Sequence, residues 1–382
     1  LHTAYRRQRQ MCIRDRIESD VIVIGAGIIG AACAWQLAAR GQRVTLVDDG
    51  NAGATAAGMG HLVCMDDDPA ELALSAWSLE IWRKLTPRMP ESCAWRGCGT
   101  LWLAETPQEL ALAEEKKQRM AQYQVVSEMQ TRDRLAAREP LLTAGLAGGL
   151  WVPGDGIVYA PNVARWFIND ADLTHLRDSA LSVDAPYVTL HSGKRLRARA
   201  IVIASGLGAN MLLDENWLRP KKGQLAITDR YGPLLSHQLV ELGYGASAHA
   251  GGTSVAFNIQ PRPTGQLLIG SSRQFDNTYR EVDLPLLAQM LARARHFLPS
   301  LETLNIIRCW SGFRAASADG NPLIGPHPAR PGIWLALGHE GLGVTTAPAT
   351  AELLCAQILG ERPAVSPDAW LPARLHKQEA IA

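Results

Sequence analysis

The run Val21-Ile22-Val23-Ile24-Gly25-Ala26-Gly27-Ile28-Ile29-Gly30 decides how this chain folds. Four consecutive apolar residues, Val21 to Ile24, read as a strand buried on both faces, and the glycines follow it directly. Small residues continue at helical spacing to Arg40, Gly41 stops them, and Val44 to Val47 forms a second apolar strand closed by Asp48. Strand, glycine turn, helix and strand make one βαβ unit of a parallel sheet.

Each part of this fingerprint answers a physical need of a bound dinucleotide. Gly25 permits the tight turn, Gly27 lets a pyrophosphate approach the backbone, and Gly30 lets the helix pack close to the strand. The helix N-terminus, with Ile28 and Ile29 in its first turn, directs N–H groups and partial positive charge at the phosphates. Asp48, with Asp49 beside it, stands eighteen residues beyond Gly30, where a carboxylate accepts hydrogen bonds from the adenosine ribose and disfavours a 2′-phosphate. Glycines that merely punctuate a turn, with Asp48 a solvated acid, are the competing explanation, and the complete spacing weighs against it. The fingerprint alone does not separate FAD from NAD.

Working outward, 382 residues with 47% hydrophobic side chains suffice for two compact domains. The 38 basic and 37 acidic side chains leave a formal charge of +1, with no electrostatic footprint for nucleic acid. Seven cysteines without CxxC or other metal spacing predict reduced thiols, a cytoplasmic compartment and no metal site. No apolar run approaches a transmembrane span, and peripheral association with the inner membrane stays open. Residues 1–16 are basic and unpatterned, and Met11-Cys12-Ile13-Arg14-Asp15-Arg16 looks like a translated sequencing adaptor, so they are set aside as a disordered or artefactual tail.

Helices are expected at Ala70–Leu85, Pro107–Tyr123, Asn162–Asn169, Leu284–Phe297 and Leu342–Leu359, the last ending at Gly360. Strands are expected at Gly99–Ala104, Tyr187–Leu190, Ala200–Ala204 and Ile333–Leu337. Alternation between turn signals over Gly223–Ser272 predicts an antiparallel sheet. The fold class is thus α/β: a Rossmann-like, mostly parallel nucleotide-binding domain with a second α+β domain. The expected division is 17–85, 140–220 and 306–370 for the first, and 86–139 and 221–305 for the second, substrate-covering domain.

Further motifs resemble the D-amino-acid oxidase and glycine oxidase family of flavoproteins over Asp20 to about Gly360. They are Ala54-Thr55-Ala56-Ala57-Gly58-Met59-Gly60-His61, Gly312-Phe313-Arg314 with Asp319-Gly320-Asn321-Pro322-Leu323-Ile324-Gly325, and Gly338-His339-Glu340-Gly341-Leu342-Gly343-Val344-Thr345. Arg219-Pro220-Lys221-Lys222-Gly223 and Pro261-Arg262-Pro263-Thr264-Gly265 make the sequence most similar to D-hydroxyproline dehydrogenase-like members. The resemblance implies non-covalent FAD. It places Ala54, Thr55, Gly58, Met59 and Gly60 along the pyrophosphate and flavin, and Gly312 and His339 to Thr345 around the ring. Ala204 and Gly206 complete the expected cofactor contacts, and Ala180 replaces the family's usual adenine-contacting valine in a region that looks short here. Backbone N–H groups opening the helix at Gly341 to Val344 would favour the negative charge that builds on a reduced flavin.

Arg314 matches the position at which the family anchors a substrate carboxylate, a task suited to a guanidinium fork; pairing with Asp319 or a carbonyl is its structural alternative. Tyr244 is a weaker candidate for lining the substrate site, and His61 and His339 receive no acid–base role. The implied reaction is oxidation of the CH–NH bond of a small amino acid, D- or cyclic, such as hydroxy-D-proline. The electron acceptor stays open between oxygen, a quinone and a partner subunit, as does homo- or hetero-oligomeric assembly. The rival expectations are a flavin subunit passing electrons to partners and, from a different class, a nicotinamide dehydrogenase or non-catalytic nucleotide-binding module.

Overall fold

The computed structural model describes residues 18–243, 252–275 and 277–375. Tyr244 and the tail at 1–16 lie outside these residues. The opening unit forms as its pattern dictates: strand β1 (Glu18–Ile24), helix α1 (Ile28–Ala39) and strand β2 (Val44–Asp48). Val21, Ile22 and Val23 are fully buried, because helices cover one face of the sheet and a second apolar cluster covers the other. Strand β3 (Arg195–Ile203) lies parallel to β1 on the side away from β2. Ile333–Leu337 extends the sheet parallel beyond β3, and Thr174–Arg177 extends it parallel beyond β2. Leu323–Pro326 and the hairpin of Ala180–Asp184 with Tyr187–Leu190 add the antiparallel pairs of this eight-stranded sheet.

A second eight-stranded sheet is antiparallel at all but one pairing. Its outer half runs β7 (Ile306–Ala316), β4 (Arg219–Thr228), β6 (Leu267–Phe275), β5 (Ser254–Pro261) in spatial order. It continues through Gln238–Glu241, Thr100–Ala104, Gly148–Val152 and Glu128–Thr131. Helix Leu284–Phe297 covers one face, where Phe257, Ile259 and Ile269 pack on Met290 and Phe297. That leaves the other face of β4 to β7 for the site.

Sheet membership departs from the sequence division at two strands. Gly148–Val152 and β7 were grouped with the nucleotide-binding segments, yet both pair within the second sheet. Periodicity marks a strand but carries no record of its partner; the partner is set by cross-strand packing far away in sequence. Helix α2 (Gly343–Leu359) then returns the chain to the first sheet, packs along α1, and ends at Gly360, whose φ of 68° is the left-handed cap that glycine suits.

Candidate active site

The nucleotide half is built around a turn with no room for side chains. Gly25 adopts φ 104°, and a Cβ there would lie 2.6 Å from the Ala204 carbonyl oxygen. A Cβ on Gly30 would lie 1.8 Å from the Gly25 oxygen, so only glycine lets α1 approach the turn this closely. Asp48 holds the turn from below: Oδ2 accepts from Ala26 N at 2.7 Å and Oδ1 from Gly50 N at 2.7 Å. Each carboxylate oxygen keeps a further acceptor site, which is what a ribose hydroxyl requires. Asp49 instead closes a small exposed turn, accepting from Asn51 N at 2.8 Å. Gly27 is the N-cap of α1 and lacks a side-chain cap, while Thr55 Oγ1 accepts from Ile28 N at 3.0 Å. Gly206, with φ 56°, follows Ala204 into open space. Ala180 sits on the hairpin paired to Leu190, packed against the cluster beneath β1.

The second half is a loop clamped between the sheets. Residues Ala54–Ala57 form one helical turn, and Trp310 Nε1 donates to Ala57 O at 3.0 Å. Strand β7 passes so near that a Cβ on Gly312 would fall 2.3 Å from the Ala57 methyl. Gly58 caps the turn through its N–H to Ala54 O at 2.9 Å. Met59 is buried against Leu225 and Leu268, and Gly60, at φ 83°, leaves no room for a Cβ, which would sit 2.1 Å from Val158 O. Largely buried Arg262 holds the loop by donating to the carbonyls of Met59 and Val158 at 3.3 Å.

His61 Nδ1 lies 2.8 Å from both Gln238 Oε1 and Gln260 Nε2; burial pushes its pKa down to about 4. His339 Nε2 is 2.9 Å from Thr350 Oγ1, and burial depresses it to about 3. Both rings are therefore neutral at ordinary pH. Thr345, in the first turn of α2, receives Val63 N at 3.2 Å and donates to His61 O at 3.0 Å, so this helix start is tied to the loop. A Cβ on Gly343 would be 3.8 Å from Ile29 Cδ1, so the N-terminal turns of α1 and α2 converge. Leu342, the N-cap of α2, provides no side-chain cap, leaving the first N–H groups of the helix, Gly343 and Val344 among them, free of an intrahelical acceptor.

Arg314 projects from β7 between these halves. Its guanidinium lies over Gly223, where a Cβ would be 2.5 Å from Nη1, and Nη1 donates to Ser272 O at 3.2 Å. Asp319 is not its partner, because Arg374 takes that carboxylate at 2.7 Å. The charged neighbour of Arg314 is Glu340, 3.9 Å from Nε. The side chain of Glu340 thus faces the expected substrate anchor. Gly341 lies against the same guanidinium, its Cβ position 3.7 Å from Nε.

Three contributors escaped the sequence reading. Lys221 stands opposite Arg314 with Nζ 3.2 Å from Glu340 Oε1, and Arg273 adds positive charge to the same carboxylate. Asn258, 2% exposed, turns Oδ1 toward Gly270 and Met59, and that oxygen has no hydrogen-bond partner among the described residues. Alternation back from Gly223 places Lys221 on its face, a signal present in the sequence. Nothing local marks Asn258 or Arg273.

These residues fit FAD: a glycine cradle that a Cβ would crowd, two helix starts whose N-cap residues supply no side-chain cap, an acid beneath the turn, and a loop locked onto the second sheet. No cluster of metal-binding side chains occurs among the described residues, and no helix of theirs is long and apolar enough to cross a membrane. The six cysteines described are all unpaired thiols. Glycine oxidase of Geobacillus kaustophilus is 30% identical over 362 residues, covering 88% of this chain and 91% of that protein. The crystal structure of glycine oxidase from the same organism superposes with a TM-score of 0.82 at 26% identity, covering 93% of this chain and 98% of the other. An opine oxidase component from Agrobacterium tumefaciens, named as one subunit of that enzyme, is 24% identical, covering 95% of this chain and 100% of its own length. The model of the DAO family, FAD dependent oxidoreductase, matches residues 20–357. The chain belongs to this DAO family and is an oxidoreductase that uses FAD.

Proposed function

We propose that this enzyme oxidises the CH–NH bond of a small amino acid, D- or cyclic, with hydroxy-D-proline as the model substrate. The observation that carries the reading is Arg314, a half-buried guanidinium set against Gly341 just before the α2 helix start, with the buried cluster of Met59, Leu225 and Leu268 on the neighbouring strands and cofactor loop. Gly25, Gly27, Gly30, Asp48, Thr55 and Gly60 would hold FAD, which when bound supplies the hydride acceptor. Arg314 pairs its planar fork with the substrate carboxylate and so fixes which face of the α-carbon is presented. The N–H groups of Gly343 and Val344 stabilise negative charge gathering at the start of α2. His61 and His339 are neutral and hydrogen-bonded, and neither is assigned the proton of the substrate amine. The division into a nucleotide-binding part and a substrate-covering part belongs to this reading. Turnover of glycine, D-amino acids and cyclic amino acids with an artificial dye acceptor tests it: selective turnover of a small D- or cyclic amino acid is expected, and no turnover of any rejects it.

A second reading, a flavin subunit working within a hetero-oligomer, is favoured by the full-length similarity to a protein named as part of an opine oxidase. Strand β7, which carries Arg314, is the outermost of its sheet and exposes Ile307. Size-exclusion and co-purification from the native host distinguish the two: a defined stoichiometric complex favours the hetero-oligomer, and an active single-chain species the self-contained enzyme.

A further inference from the structure

Lys221 and Arg314 occupy paired positions on β4 and β7, and like charges directly opposite each other on antiparallel strands repel. The anion set against both is Glu340. Its Oε1 is buried without an aligned hydrogen bond, while Oε2 accepts from the neighbouring Gly341 N at 2.6 Å. Glu340 also holds φ at 46°, a left-handed conformation rare for glutamate, and its N–H is fixed to Ala315 O at 3.2 Å. The chain thus keeps an uncommon backbone state that presents a carboxylate to the residue expected to bind the substrate's carboxylate. Burial alone would raise the pKa of Glu340, but Arg314, Lys221 and Arg273 outweigh burial and hold it below the usual range. The group is therefore an anion at neutral pH.

We propose that Glu340 occupies the carboxylate anchor of the substrate-free enzyme and, when displaced, pairs with the substrate nitrogen, so that the site admits zwitterionic amino acids and resists simple carboxylates and hydroxy acids. This rests on Arg314 being the anchor. A simple carboxylate that displaces Glu340 leaves its charge half-buried and short of a cation, which is unfavourable. An amino acid brings both charges: its carboxylate replaces Glu340 beside Arg314 and Lys221, and its ammonium meets the released carboxylate. The exchange then leaves no charge unpaired.

Titration of the flavin-loaded enzyme with acetate, read as perturbation of the flavin absorption, tests this in wild type, Glu340→Gln and Glu340→Gly. Glutamine keeps the shape without the charge, and glycine suits φ 46°, so at least one variant retains the loop. If the anchor is open in about a tenth of wild-type molecules, removing the occupant tightens apparent acetate binding about tenfold, because apparent affinity scales with the competent fraction. Since the opened anchor favours both ligands and only the amino acid loses a partner for its nitrogen, the ratio of amino-acid KM to acetate Kd should rise in both variants. Acetate binding that is unchanged or weaker in both variants overturns the proposal, as does an unchanged ratio. Failure of the anchor itself shows separately, since acetate would then perturb Arg314→Ala as it does wild type.

Discussion

Arg314 and Lys221 are cross-strand partners, two cations held side by side on the face of the sheet that meets the cofactor loop. Such a pair stabilises an anion and little else, so Arg314 should matter for substrate and not for flavin. Arg314→Ala is expected to raise KM by about a hundredfold, on the order of 3 kcal/mol, as for truncation of one member of a buried charge pair. Arg314→Lys should recover little, since an ammonium lacks the planar fork. Steady-state kinetics beside the flavin-to-protein absorbance ratio check this; lost flavin with unchanged KM would assign Arg314 to the cofactor.

Gly312 makes the opposite prediction. A methyl there would meet the Ala57 methyl at 2.3 Å and push the Ala54–Ala57 turn away from β7. Overpacking of this kind costs about 1–3 kcal/mol. Gly312→Ala should therefore lose FAD on gel filtration, with a smaller fall in the melting temperature of the apoprotein. Full retention of flavin would show that this contact does not hold the loop.

Asp155 gives a pH test. It is buried, accepts from Thr100 Oγ1 at 2.6 Å and Cys64 N at 3.2 Å, and burial raises its pKa from 3.8 to about 7. A carboxyl raised by folding binds its proton more tightly in the native state, so its cost is absent below its unfolded pKa, grows through the window up to about 7, and is constant above. Asp155→Asn removes that cost. The melting-temperature difference, variant minus wild type, should climb from about pH 4 to about 7 and level beyond; a flat difference contradicts the assignment.

His61 and His339 titrate near 4 and 3, so neither sets an inflection of kcat/KM near neutrality. His61→Gln and His339→Asn can lower activity by disturbing Gln238, Gln260 or Thr350, but the pH midpoints of the profile should stay where they are. A midpoint that vanishes in either variant would give that ring a proton-transfer role.

The nucleotide half was legible because its physics is local: a strand, three glycines and an acid within about thirty residues define the turn, the helix start and the carboxylate beneath it together. Helix Leu284–Phe297 and strand Ile333–Leu337 were legible to the residue because each is a clean period bounded by turn signals. The substrate half was less so. Lys221, Arg273 and Glu340 come from three separate segments and are brought together by strand pairing and by the loop before α2, which leaves no local trace. Glu340 was grouped with the flavin by its motif, and nothing in that motif marked the pairing of its side chain with Arg314 and Lys221. Likewise β7 carries flavin-family residues yet belongs to the second sheet, so motif membership did not predict sheet membership.

Amino-acid oxidation on FAD is tested most directly by the visible spectrum of the purified enzyme before and after anaerobic addition of cis-4-hydroxy-D-proline. Flavin bands should bleach on addition in wild type, and in Arg314→Ala only at far higher concentration. Flavin bands that persist in wild type through this and every other small D- or cyclic amino acid would contradict it.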